Sequence, residues 1–125
     1  MKLNIRIDFD AERALGPGKI RLLELIGKLG SISAAGREMG MAYTRAWQLV
    51  EALNNVFDAP LVQAMHGGER GGGAKVTPLG QAVVRAYREF EADAVDMAAK
   101  RIERLARPAK AKARIRKRRP TDQSA

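Results

Sequence analysis

The sequence predicts a mainly α fold with a small β component, and three observations carry that expectation. Apolar residues recur every three and four positions in four stretches between Ile20 and Leu105, the period of a helix with one buried face. Leu3-Asn4-Ile5-Arg6-Ile7-Asp8-Phe9 alternates strictly, the period of a half-buried strand. Two short apolar runs flank His66-Gly67-Gly68-Glu69-Arg70-Gly71-Gly72-Gly73, a stretch too glycine-rich for a core and suited to the tip of a hairpin.

The alternation puts Leu3, Ile5, Ile7 and Phe9 on one face of an N-terminal strand. Gly16-Pro17-Gly18 then breaks the chain. Pro17 suits the first position of a helix, where its missing N–H would have no partner anyway. Ile20, Leu22, Leu23, Leu25, Ile26 and Leu29 give that helix a broad apolar face, and Gly30 is placed to stop it. Ser31 is the expected N-cap of a second, short helix. Its inner stripe is Ile32, Ala35 and Met39, and the small residues Ala34, Ala35 and Gly36 permit close approach of another helix. Gly40 makes a tight turn into a third helix, whose apolar series is Tyr43, Ala46, Trp47, Val50, Leu53 and Phe57. Trp47 is assigned to the core. Leu61 to Met65 and Ala74 to Thr77 form the hairpin strands. Thr77 caps and Pro78 opens a last helix reaching about Leu105, roughly 42 Å at 1.5 Å per residue. Its core stripe is expected to be Leu79, Val83, Ala86, Phe90, Ala94, Met97 and, if the helix reaches it, Leu105. A second stripe of Val84, Tyr87, Val95, Ala98 and Ile102 is left for a partner chain. The elements compose a winged helix-turn-helix with an N-terminal strand and a long C-terminal dimerisation helix, over residues 1–106. Residues 107–125 read as a disordered basic tail, because dense like charge with little apolar surface cannot offset the entropy of ordering.

Composition narrows the function. The 125 residues carry a net charge of +9, no Cys and one His. A disulfide framework, a Cys-rich zinc site and thiol catalysis are excluded. No run is long and apolar enough for a membrane span, and the acidic residues entering at Asp8 do not fit a secretory signal. The charge is uneven. Residues 107–125 hold eight Lys and Arg against one Asp, a net of +7, which leaves +2 for residues 1–106. The tail suits counterion release from nucleic acid, whereas the body must be judged on its own residues. No catalytic set, metal ligand cluster or cofactor site is expected. His66 has no Cys or His companion. Gly68 and Gly73 have the spacing of a nucleotide-binding glycine loop, but Ala74 stands where that loop needs Lys.

The residues expected to meet duplex DNA are Ser31, Ser33, Tyr43, Thr44, Arg45, Gln48, Arg70 and Lys75. Arg45 and Gln48 lie about one turn apart on the polar face of the third helix, with Thr44 beside them. Arg reads guanine O6 and N7, and Gln reads adenine N6 and N7, in the major groove. Tyr43 belongs by its ring to the inner stripe, although its place near the helix start brings the hydroxyl within reach of a phosphate. Ser31 and Ser33 open the preceding helix, where hydroxyls and free N–H groups meet the backbone. Arg70 at the wing tip and Lys75 at its base are positioned for phosphates or the minor groove.

The segments LGPGKIRLLELIGKLGSISAAGREMGMAYTRAWQLVEALN and GGERGGGAKVTPLGQAVVRAY resemble the N-terminal domain of the molybdate-responsive ModE family of bacterial regulators, relatives of the LysR-type winged helix-turn-helix. The resemblance spans roughly Leu15 to Tyr87. It implies sequence-specific binding of double-stranded DNA, transcription regulation and dimerisation. Ala42 departs from the family, which usually has Ser there, and an Ala N-cap costs about 0.5–2 kcal/mol. The family's C-terminal oxyanion-binding domains have no counterpart in these 125 residues, so molybdate sensing is not implied. The expectation is a cytoplasmic, nucleoid-associated homodimer without enzymatic activity. Two other readings stay open: heterodimerisation with a full-length relative, and sequence-tolerant, nucleoid-like DNA binding.

Overall fold

A computed structural model of the chain describes residues 1–65 and 73–106. The expectations for Arg70, for the hairpin tip and for the tail from Arg107 lie outside the described residues.

The first strand is shorter than the alternation suggests. Its ladder is β1 (Ile7–Asp8) paired antiparallel with β2 (Ala14–Leu15), Ile7 opposite Leu15. The alternation survives in burial: Leu3, Ile5 and Ile7 are half-buried, while Asn4, Arg6 and Asp8 are exposed. Phe9 leaves the pattern and packs edge-on against Phe57, ring centroids 5.8 Å apart. The Asp10 carboxylate ends the strand by accepting the backbone N–H groups of Glu12 (2.9 Å) and Arg13 (2.7 Å). That turn folds the chain back into β2, a strand that two residues of sequence do not announce.

Helix α1 (Pro17–Leu29) starts at Pro17 and stops at Gly30, which takes the left-handed conformation at φ 70°. Ile20, Leu22, Leu23, Leu25 and Ile26 are buried, so α1 is the spine of the core. Helix α2 (Ile32–Glu38) is capped as expected: the Ser31 Oγ accepts the Ala34 N–H at 3.0 Å. Gly40, at φ 71°, turns the chain into α3 (Tyr43–Asn54). A Cβ on Gly36 would sit 2.8 Å from that of Ala46, so only glycine allows α2 and α3 to approach this closely. Ala42 gives α3 no side-chain cap.

Strands β3 (Val62–Met65) and β4 (Gly73–Val76) form the second antiparallel pair, Val62 opposite Val76. The Ala74 N–H donates to the Gly30 carbonyl at 3.0 Å, tying the hairpin to the end of α1. Helix α4 (Pro78–Arg101) begins at Thr77, whose Oγ accepts the Gly80 N–H at 3.0 Å. It has 24 residues rather than the expected run to Leu105 and gives way to a 3-10 turn at Glu103–Leu105. Ile102 and Leu105 are exposed, so nothing among the described residues packs against a longer helix.

The stripes of α4 also divide differently from expectation. Tyr87, expected on the exposed stripe, is buried, whereas Phe90 and Met97, expected in the core, are 50% and 46% exposed. The N-terminal segment decides this. It lies along the Tyr87 side of α4, where the Tyr87 hydroxyl donates to the Ile5 carbonyl at 2.7 Å. Farther round, Arg88 holds both oxygens of Glu24 on α1, at 2.8 and 2.9 Å, and also reaches Glu91 at 2.6 Å.

Candidate nucleic-acid interface

Helices α2 and α3 and the turn at Gly40 form the helix-turn-helix, with α1 behind them and the β3–β4 hairpin at the side. Ala46, Val50 and Leu53 hold α3 in the core. Residues advance about 100° per position around a helix, so the face opposite those three carries Thr44, Gln48, Glu51 and Asn55. All four are exposed. Thr44 and Gln48 occupy its first two turns. Glu51 brings a carboxylate into the third, where it would repel phosphates. The N-terminal half of α3 is therefore the part of that face without a carboxylate.

Two clefts border that half. On one side Arg45 lines a cleft of about 260 Å³ with Arg6 before β1 and Lys19 in the first turn of α1. No carboxylate lines it. Burial first, and then the charges of Arg6 and Arg45, push the Lys19 ammonium below its ordinary pKa. Lys19 also donates to the Ala14 carbonyl at 3.0 Å, and Arg6 is held by Asp8 at 2.8 Å. With Arg6 paired to Asp8, Lys19 and Arg45 leave this flank of α3 with an excess of positive charge, which favours an anionic partner.

On the other side Ser31, Ser33, Tyr43, Trp47, Met65 and Gly73 line a cleft of about 270 Å³ between the helix-turn-helix and the hairpin. Here the structure corrects the reading of two aromatic residues. Tyr43 is 59% and Trp47 38% exposed; neither ring is core. They meet edge to face, with centroids 6.1 Å apart. Gly36 and Ala46 bring α2 and α3 so close that no ring fits between them, so the bulky edge of the apolar series is turned outward.

Of the sequence-expected contacts, Ser31, Ser33 and Tyr43 thus converge on one cleft and Arg45 on the other, with Thr44 and Gln48 on the face between. Lys75 stands apart, exposed on β4 opposite Gln63. Sequence reasoning missed Arg6, Lys19 and Trp47. Arg6 and Lys19 belong to other elements, and only the packing of those elements against α3 brings them near. For Trp47 the signal was available in the small residues Gly36 and Ala46, which leave no space for it inside.

Residues 18–81 match the family described as bacterial regulatory helix-turn-helix protein, lysR family. The chain belongs to that family. The matched segment runs from α1 through the hairpin to the start of α4; it holds the whole lining of the Trp47 cleft and, of the other cleft, Lys19 and Arg45 but not Arg6. Among curated relatives, the chain is 49% identical over 78 residues to the molybdenum-pterin-binding protein MopB of Rhodobacter capsulatus, covering 62% of this chain and 29% of MopB. It is 39% identical over 85 residues to the molybdenum transport protein ModE of Azotobacter vinelandii, covering 68% and 32%. It is 37% identical over 71 residues to the DNA-binding transcriptional dual regulator ModE of Escherichia coli K12, covering 57% and 27%. The chain therefore spans about a third or less of the length of these relatives. The similarity supports the ModE-type resemblance and a DNA-binding, regulatory helix-turn-helix. Among the described residues no helix is long and apolar enough to cross a membrane.

Proposed function

We propose that this chain is a cytoplasmic, dimeric, sequence-specific binder of double-stranded DNA that regulates transcription. The first half of α3 enters the major groove, and the hairpin lies along the flank. The observation that carries this reading is the outward face of Thr44 and Gln48, with Arg45 at its border, on the second helix of a family-matched helix-turn-helix. Amide and guanidinium groups there present paired donors and acceptors to base edges. Lys19 and Arg6, with Lys75 on the hairpin, supply charge for the phosphates, which position the protein without specifying sequence. Two copies pair on the apolar groove that Phe90 lines with Ile7, Leu15, Phe57 and Val83. A closed two-fold pair would present two α3 helices to half-sites about one helical turn apart or a multiple of it.

The test is selection of bound duplexes from a random pool, followed by anisotropy titrations at fixed salt. A recovered two-fold sequence bound at least about 10³-fold more tightly than its scramble supports the reading, since specific regulators exceed nonspecific binding by that much or more. Equal affinity for all duplexes would support a nucleoid-like binder instead.

A further inference from the structure

The cleft between Trp47 and the hairpin is not needed for base reading. Ile32, Trp47, Ala64 and Met65 give it apolar lining. Hydroxyls of Ser31, Ser33 and Tyr43 line the same cleft, and no lining residue carries a carboxylate. The Ser31 oxygen accepts the Ala34 N–H, yet its own proton remains available to donate. The cleft is held in shape: the Ala74 N–H on the Gly30 carbonyl fixes the hairpin, and the Ser31 cap fixes α2.

We propose that this cleft seats one sugar–phosphate strand of duplex DNA, with the Trp47 indole against a deoxyribose and the hydroxyls directed at the flanking phosphate. The inference rests on the DNA-binding reading above and deepens it. Its warrant is placement. Once α3 occupies the major groove, a hairpin beside it meets the neighbouring backbone, and the strand separating the grooves lies between the two. That strand offers an apolar sugar edge and anionic oxygens, the two chemistries this cleft combines. Trp47 is then a positioning residue. It anchors α3 in the groove without choosing a base.

Trp47 is the one tryptophan of the chain, so its own fluorescence reports the contact. In a titration with the best selected duplex, emission should quench or shift in step with the anisotropy of labelled DNA. W47A should weaken binding about tenfold, the effect of leaving roughly 50 Å² of apolar surface uncovered. It should do so equally for the best site and for a scrambled duplex, while W47F keeps most of the affinity. Replacing the site's thymines by deoxyuridine should leave the W47A effect unchanged. Unchanged emission while anisotropy reports saturation overturns the proposal and leaves the DNA-binding reading standing. A W47A effect confined to one base pair and abolished by deoxyuridine overturns it in favour of thymine-methyl reading. Tighter quenching by single-stranded DNA overturns it in favour of base stacking. Flat anisotropy with every duplex removes both readings. Circular dichroism checks that W47A folds; if it does not, the titration of the unmodified chain decides.

Discussion

At the residue scale, the polar side chains of α3 separate into those on its outward face and those that hold the fold. Gln48 and Arg45 have no role in the core. Replacing either by Ala is expected to cost about 1–3 kcal/mol at the best site and to relax preference at one base pair, because a lost bidentate contact removes discrimination at that position alone. Anisotropy against a panel of single-base variants measures it, and retained affinity and preference in both variants would mean that α3 is not the reader. Asn54 does the opposite work. It sits at the end of α3, donating to the Val62 carbonyl at 3.0 Å and accepting the N–H groups of Leu61 and Val62 at 2.8 and 2.9 Å. These bonds dock β3, and hence the hairpin wall of the Trp47 cleft, on α3. Asn54→Ala would leave two backbone donors without partners beside buried Leu61 and Val62. A loss of about 2–4 kcal/mol is expected in urea unfolding.

At the element scale, α4 joins two tasks that its sequence does not separate. One face is bound to the rest of the domain through Tyr87 and Arg88. The other, with Phe90, closes an apolar groove of about 390 Å³ that includes Ile7, Leu15, Phe57 and Val83. Half of Phe90 is exposed in the single chain, so Phe90→Asp should leave the fold intact and abolish pairing. Sedimentation velocity at micromolar concentration should show a dimer for the unmodified chain and a helical monomer for the variant. A monomer in the unmodified chain would end the pairing proposal. The Glu24–Arg88 pair links α1 to α4 and gives stability a pH dependence. Chiefly the Arg88 hydrogen bonds, opposed by burial, lower the Glu24 pKa from its ordinary value. A carboxylate whose folded pKa is depressed stabilises the fold above its unfolded pKa and loses that contribution as pH falls through the folded value. The melting-temperature gap between the unmodified chain and Glu24→Gln should therefore be largest near neutral pH and close under acid.

At the scale of the whole molecule, charge is divided by location. The body carries +2 and residues 107–125 carry +7. On DNA, a body so nearly neutral would rely on where its cations sit, as at Arg6, Lys19 and Arg45, whereas the terminal segment would act by quantity. Deleting residues 107–125 is expected to weaken binding to every duplex while preserving the ranking among sites, because phosphate contacts carry no sequence information. Eight engaged cations would contribute about −7 to the slope of log affinity against log salt, and partial engagement a change of roughly three to five. An unchanged salt slope in the truncated protein would show that the segment is idle on DNA.

Helix ends and turns are legible in the sequence because their causes are local. Pro17 at the start of α1, Gly30 and Gly40 at positive φ, and the Ser31 and Thr77 caps each depend on atoms within about four residues. The helix-turn-helix and its outward Thr44, Arg45 and Gln48 followed from the same local periodicity. What the chain order leaves open is which of two plausible faces meets which neighbour. Tyr87 is buried and Phe90 exposed because the N-terminal segment crosses one side of α4 and not the other. Trp47 faces out because Gly36 and Ala46 close the space between α2 and α3. Arg6 and Lys19 reach Arg45 because β1 and α1 pack beside α3. Periodicity states that a face is apolar, but burial is a relation between two surfaces, and the second surface lies up to 82 residues away in the chain, as at Tyr87 and Ile5.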